Sequence, residues 1–169
     1  MSPLDAAPGP AAPAPTLLQA GIRDVSFGRG VKVVGPVNLY GCEIGDDCFI
    51  GPFVEIQSNV LIGARTKVQS HTFVCSLVSI GEDCFIGHGV MFINDTFASG
   101  GPAGGQQQLW RSTHIGRAVS IGSNATIMPV HICDRAVIGA GAVVTKDIVE
   151  PGIYAGNPAR LVRSLPAHT

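Results

Sequence analysis

Residues 80–97 read IGEDCFIGHGVMFINDTF, with a large apolar residue at every sixth position: Ile80, Ile86 and Phe92. Stepping backwards by six reaches Val74, Val68, Ile62, Ile56, Ile50 and Ile44 without a miss. Four places after each of these stand Cys48, Val54, Val60, Thr66, Thr72, Val78, Cys84, Val90 and Thr96, all small or β-branched. Glycine follows the first column at residues 45, 51, 63, 81 and 87. Side chains on a strand alternate with a period of two, so positions four and six apart share one side. Both columns therefore face a common interior. A helix of 3.6 residues per turn does not generate this spacing, and a sandwich of short strands sets its turns about 8–12 residues apart. Short strands joined by glycine-bearing corners and stacked coil upon coil do generate it, so the fold is read as an all-β solenoid.

The pattern breaks at FASGGPAGGQQQLWRST (97–113) and resumes at Ile115, Ile121, Ile127, Ile132, Ile138 and Val144. A patternless segment of this length inside a compact domain is read as a functional loop projecting from a corner. Its far end carries Trp110, the chain's only tryptophan and a candidate anchor. The step from Ile127 to Ile132 is five, at MPVH (128–131), which predicts one corner tighter than the rest.

Composition narrows the partners. Lys and Arg total 11 against 12 for Asp and Glu, leaving no positive excess to neutralise a nucleic-acid backbone or dock on anionic lipid. Neither a nucleic acid nor a membrane is expected as a partner. No apolar run approaches the roughly 18 residues of a membrane span. The five cysteines show no C-x-x-C spacing, and buried reduced thiols are expected for them. Cys42, Cys48 and Cys84 fall in or beside the inner column. Residues 1–20, rich in Ala and Pro at their start, read as a disordered tail without a signal-peptide pattern. Residues 21–150 read as the coil with its loop, residues 151–169 as a C-terminal extension, and the protein as soluble and cytoplasmic.

The hexapeptide columns, the run IGAGAVVTKDI (138–148) and the segment YAGNPARLVR (154–163) resemble the left-handed parallel β-helix acyltransferases. That resemblance implies three hexapeptides per 18-residue coil, a homotrimer and acetyl-CoA as cosubstrate; no metal is expected. The runs VEIQ (54–57), QSHTFVC (69–75), GHGVMFIND (87–95) and SIGSNATI (120–127) look most like the N-acetyltransferases of nucleotide-linked amino sugars, above all 3-amino sugars. With 18 residues per coil, Glu55, Phe73 and Met91 form one outer column. His71 and His88 then occupy nearly matching positions, and Asn94 and Asp95 lie round the corner from His88, so the polar groups are expected on one edge.

The resemblance puts Asn94 beside the reacting groups, where its amide can accept from the amine; the alternative is an Asn that caps a corner. His88 is a candidate general base or orienting group, or else an exposed rung residue. Glu55, His71, Phe73 and Asp95 are assigned to the sugar, with Asp95 alternatively stiffening the loop. The resemblance runs the pantetheine arm along the last coils against backbone of Ser120, Gly122, Ala140 and Gly141. Lys146, Arg160 and Arg163 are the candidate phosphate partners, Pro158 fixes a turn, and ARLVRSL (159–165) is expected to form a short helical tail. The sugar-specific relatives follow the Asn-Asp pair with an aromatic, a Pro and an Arg; here NDTFASGGP keeps only the aromatic. Competing readings are O-acetylation of a sugar hydroxyl, a zinc-dependent hydratase of the carbonic anhydrase kind, and a binding scaffold. The zinc reading has His71 and His88 but no third histidine in register, since His114 lies beyond the loop and His131 at the shortened corner.

Overall fold

The computed structural model describes residues 14–165. Three sheets of seven, six and eight strands are the faces of a three-sided solenoid of about seven turns. The chain visits them in rotation: Ile22–Arg23 on the first face, Ser26–Phe27 on the second, Lys32–Val33 on the third, then Asn38–Tyr40 back beside Ile22–Arg23. All pairings are parallel except the last. A strand of two or three residues has too few ladder bonds to persist alone, so each depends on the coil above and below it.

One buried cluster runs through the prism from Leu39 to Ile148. Ile44, Ile50, Ile56, Ile62, Val68, Val74, Ile80, Ile86 and Phe92 are all within it, at 0–3% exposure. The column begins earlier than Ile44: Ile22 stands in register with Leu39, Phe27 with Ile44, and Val33 with Ile50. Five-residue steps from Ile22 to Phe27 and from Leu39 to Ile44 hide this start from a strict period of six. The second column ends earlier than expected, because Val90 is buried whereas Thr96 is exposed in the loop. The short step after Ile127 gives the tight corner foreseen, with Val130 turned inward one place early.

The second column holds only small residues because each sits against the next coil. Cys48 Sγ meets the carbonyl of Gly63 at 3.1 Å, Thr66 Oγ1 donates to Gly81 at 2.9 Å, and Thr72 Oγ1 donates to Gly87 at 2.9 Å. Each partner lies fifteen residues on, so a short side chain with one donor satisfies itself at this place. The glycines answer the same close approach: a Cβ at Gly63 would stand 2.5 Å from the backbone of the next coil.

Most corners also place one residue in the left-handed region. Asp47, Phe53, Asn59, Arg65, His71, Leu77, Asp83 and Gly89, six apart, all have φ between 56° and 71°. For Phe, Leu and His this conformation is uncommon and costs energy. Its recurrence at eight successive corners assigns it to the architecture, and it is no mark of a site at His71.

The C-terminal segment corrects one expectation. Residues 160–164 form a strand, antiparallel to Gly152–Ala155 on the third face, where a helix was expected. Seven residues are too few for a helix without a packed face, whereas Gly152–Ala155 offers a free strand edge. Residues 1–13 and 166–169, which include most of the expected N-terminal tail, lie outside the described residues; residues 14–20 form no strand. Among the described residues no helix is long and apolar enough to cross a membrane.

The cysteines are free. Burial pushes the Cys42 thiol up to about 11 and the Cys75 thiol up to about 12, and it raises those of Cys48 and Cys84 as well. The thiolate is the reactive form. Titration of the native protein with a disulfide reagent at pH 8 is therefore expected to modify at most the partly exposed Cys133 quickly. All five should react in denaturant; fast modification of two or more in the native state would contradict this packing.

Candidate active site

Consecutive coils align the candidate residues on one face and its two flanking corners. The corner between the third and first faces carries Phe53, then Ser70 and His71, then His88 and Gly89, then Ser123 and Asn124, then Ala140 and Gly141. Backbone bonds tie these levels together: Gly89 N to Ser70 O at 3.0 Å, Asn124 N to His88 O at 2.8 Å, and Gly141 N to Ser123 O at 2.9 Å. The first face presents Asn38, Glu55, Phe73, Met91 and Thr126 outward in register. The corner between the first and second faces carries Gln57, Ser76 and Asn94, and from it the loop departs.

His71 and His88 are offset by one residue and have different surroundings. His71 stacks on Phe53, ring centroids 4.8 Å apart. His88 places Nδ1 2.9 Å from Ser70 Oγ one coil below, and its ring is exposed. Ser70 thus fixes the imidazole and leaves Nε2 free to face outward. Asn124, one coil above, packs its amide where a Cβ on Gly89 would fall.

The geometry revises one expectation. Asn94 and His88 do not share an edge: the strand Met91–Phe92 separates them, so the polar groups flank the first face. Asn94 Nδ2 donates to the Ser76 carbonyl at 3.1 Å. This is the corner-capping bond, and it also holds the amide so that Oδ1 remains available as an acceptor. The Asn94 carbonyl accepts from Arg111 N at 2.9 Å, closing the base of the loop.

Asp95 is committed to the loop. Its Oδ1 accepts from Phe97 N at 3.0 Å and its Oδ2 from Ala103 N at 2.7 Å. Asp95, Ala103, Leu109 and Arg111 line a cavity of about 90 Å³ inside the loop. Asp95→Ala is expected to speed hydrogen exchange at the Phe97 and Ala103 amides at least tenfold while the melting temperature stays within about 2 °C, because the loop lies outside the coil's buried cluster. Unchanged exchange would mean that Asp95 does not organise the loop.

The remaining candidates lie on the upper coils. Ser120 points out from the third face in register with Phe85 and Val137. Gly122, Ala140 and Gly141 continue the His88 corner upward, with small side chains or none. Pro158, after a cis peptide bond from Asn157, turns the chain so that Gly156 and Ala159 bracket Val143. Lys146 and Arg160 share a groove of about 280 Å³ with Tyr154 and Asp147, while Arg163 stands opposite Ile153 on the outermost strand. Among the described residues, none of these three cations is in an ion pair.

His114 and His131 lie side by side on the second face, away from His71 and His88. Among the described residues no three His, Cys, Asp or Glu side chains converge to hold a metal. Ser70, Asn124, Gln57 and Ser76 join the site without having been singled out in the sequence. The stacking arithmetic could have found Ser70, which is 18 residues before His88.

The bacterial transferase hexapeptide model (six repeats) matches residues 41–76, and the hexapeptide repeat of succinyl-transferase matches residues 77–91 and 113–146. The second match is interrupted where the loop leaves the coil. The chain belongs to the hexapeptide-repeat transferase family. Among curated relatives it is similar to the bifunctional protein GlmU of a Synechococcus species, 28% identical over 84% of this chain and 29% of that one. It is also similar to the GlmU of Clavibacter sepedonicus, 37% identical over 70% of this chain and 22% of that one. The chain thus spans less than a third of the length of these relatives.

Among solved structures it is similar to a variant of AntD, an N-acyltransferase from Bacillus cereus, in complex with dTDP and coenzyme A. That match has a TM-score of 0.70 and 22% identity, over 82% of this chain and 83% of that one. A hexapeptide-repeat containing acetyltransferase from Vibrio cholerae, complexed with acetyl coenzyme A, matches with a TM-score of 0.60 and 24% identity, over 75% and 72%. At these identities the likeness establishes the coil.

Proposed function

We propose that the protein is an acetyl-CoA-dependent N-acetyltransferase acting on the amine of a nucleotide-linked amino sugar, a 3-amino-deoxy sugar above all, as a cytoplasmic homotrimer. The observation that carries this reading is the first face. Its outward column runs from the carboxylate of Glu55 to the apolar floor of Phe73 and Met91, with the oriented His88 on one side and the oriented Asn94 on the other. Such a surface suits a sugar ring, which offers hydroxyls at its rim and an apolar face.

In this reading Glu55 takes sugar hydroxyls, His71 and Phe73 bound the ring, and Asn94 Oδ1 accepts from the amine. The amine lone pair attacks the thioester carbonyl; the C–N bond forms, the C–S bond breaks, and coenzyme A leaves as its thiolate. The proton released from nitrogen passes to His88 Nε2 or to water. An amine beside electron-withdrawing oxygens titrates, by analogy with an α-amino group, at about 7.7–8.0. An appreciable fraction, about a tenth to a sixth, is then neutral at pH 7, so orientation matters more than a strong base. The small-residue corner above His88 suits a pantetheine arm, and Lys146, Arg160 and Arg163 suit its phosphates. Asp95 supports the site through the loop.

The test is a panel of amino-sugar nucleotides assayed by thiol release. Turnover with amines supports the reading. Turnover with hydroxyl acceptors alone would replace it by O-acetylation. Absence of any coenzyme A-dependent thermal shift would favour a binding scaffold, and stoichiometric zinc in the purified protein a hydratase.

A further inference from the structure

A line of hydrogen bonds crosses the first face and joins the two residues assigned above to the acceptor. Asn38 Nδ2 donates to Glu55 Oε2 at 3.1 Å, and Gln57 Nε2 donates to Glu55 Oε1 at 3.2 Å. Each carboxylate oxygen thus has its own amide donor. The other end of the Gln57 amide, Oε1, accepts from Ser76 N at 3.2 Å and lies 3.5 Å from Ser76 Oγ. The Ser76 carbonyl in turn accepts from Asn94 Nδ2. Gln57 is the member that touches both halves, and the Glu55, Gln57, Ser76 and Asn94 side chains are all at least partly buried.

We infer that Gln57 is a positioning residue that fixes the Glu55 carboxylate and the Asn94 carboxamide relative to each other, and so sets where a bound acceptor places its amine. The inference rests on the acetyl-transfer reading for the roles of Glu55 and Asn94. The residue type follows from the chemistry. The link must donate to a carboxylate at one end and accept from a backbone N–H at the other, which a carboxamide does and neither a carboxylate nor an apolar chain can. Asparagine, one methylene shorter, would not span the gap.

Gln57→Leu removes both bonds at similar size. Gln57→Glu keeps the acceptor end but sets against Glu55 a second carboxylate, which repels it where the amide donated. The other titratable groups facing this place are Tyr40, whose hydroxyl lies near Glu55 and Gln57, Arg23, which lies over the Tyr40 ring, and the buried, uncharged Cys75 one coil above. Neither Tyr40 nor Cys75 takes on charge below neutral pH.

The experiment measures kinetics for acceptor and acetyl-CoA separately in the full chain, together with side-chain amide NMR. In Gln57→Leu, kcat/KM for the acceptor is expected to fall 10–100-fold while KM for acetyl-CoA changes less than twofold, and the Asn94 amide signals are expected to move. In Gln57→Glu, which loses the donor toward Glu55, the fall for the acceptor is expected to be at least as large, again with KM for acetyl-CoA changed less than twofold. Acceptor kinetics within twofold of the parent, or equal losses for both substrates, would overturn the inference. If the parent protein transfers no acetyl group, the acetyl-transfer reading falls, and the NMR arm still decides: unmoved Asn94 signals in Gln57→Leu would end the positioning role.

Discussion

Asn94→Ala is expected to lower kcat by about 10²–10³-fold, the range for deleting one positioned polar group at a reacting centre. The side chain does two things at once. Its Nδ2 is spent on the Ser76 carbonyl, which leaves Oδ1 as an acceptor held in one direction. Alanine removes both, so the amine loses its partner and its angle of approach. The folded state loses far less, about 1 kcal/mol for a single partly exposed hydrogen bond. The check is steady-state kinetics beside urea denaturation of the same sample: a large kinetic loss with a small stability loss. Asn94→Asp separates the two contributions further, because a carboxylate retains an acceptor but has no hydrogen to give the Ser76 carbonyl. An unchanged rate in Asn94→Ala would remove this residue from the mechanism and return it to corner capping.

Phe92→Ala is expected to destabilise the fold by about 3–5 kcal/mol, measured from the urea midpoint. Phe92 is the largest of the fully buried side chains. It lies in register with Ile127 at the level where the chain leaves the coil for the loop. Strands on the coils above and below hold its backbone in place, so the cavity left by the ring cannot collapse. Met91, its neighbour on the same strand, points outward and is 42% exposed, and Met91→Ala should cost only about 0.5 kcal/mol. Equal costs at the two positions would mean that the inner and outer sides have been exchanged.

How much of this was legible beforehand differs by level. The inner column was readable from Ile44 to Phe92 because an even period keeps one side of every strand inward, and the register of Glu55, Phe73 and Met91 followed by counting. The start of the solenoid at Ile22 was not, since two five-residue steps move the column out of phase. The helical reading of residues 159–165 failed because strand or helix was decided by the free edge of Gly152–Ala155, which exists only once that strand has paired with Val137–Ile138 on the third face. The candidate site divides in the same way. His71 and His88 were found by residue type, whereas Ser70, Gln57, Ser76 and Asn124 are common residues whose sequence neighbours say nothing of their contacts.

The amino-acid sequence by itself determined that this chain winds into a prism, which side chains fill it and where the winding is interrupted. These follow from periodicity and from the small volume available between coils. Only the tertiary structure decided that His88 and Asn94 stand on opposite sides of one face, that Asp95 is bound to its own loop, and that Gln57 connects Glu55 to the Asn94 corner. Hydrogen bonds between side chains on successive coils join residues 17–19 positions apart, and whether they form depends on angles and reach that a spacing in the sequence does not encode.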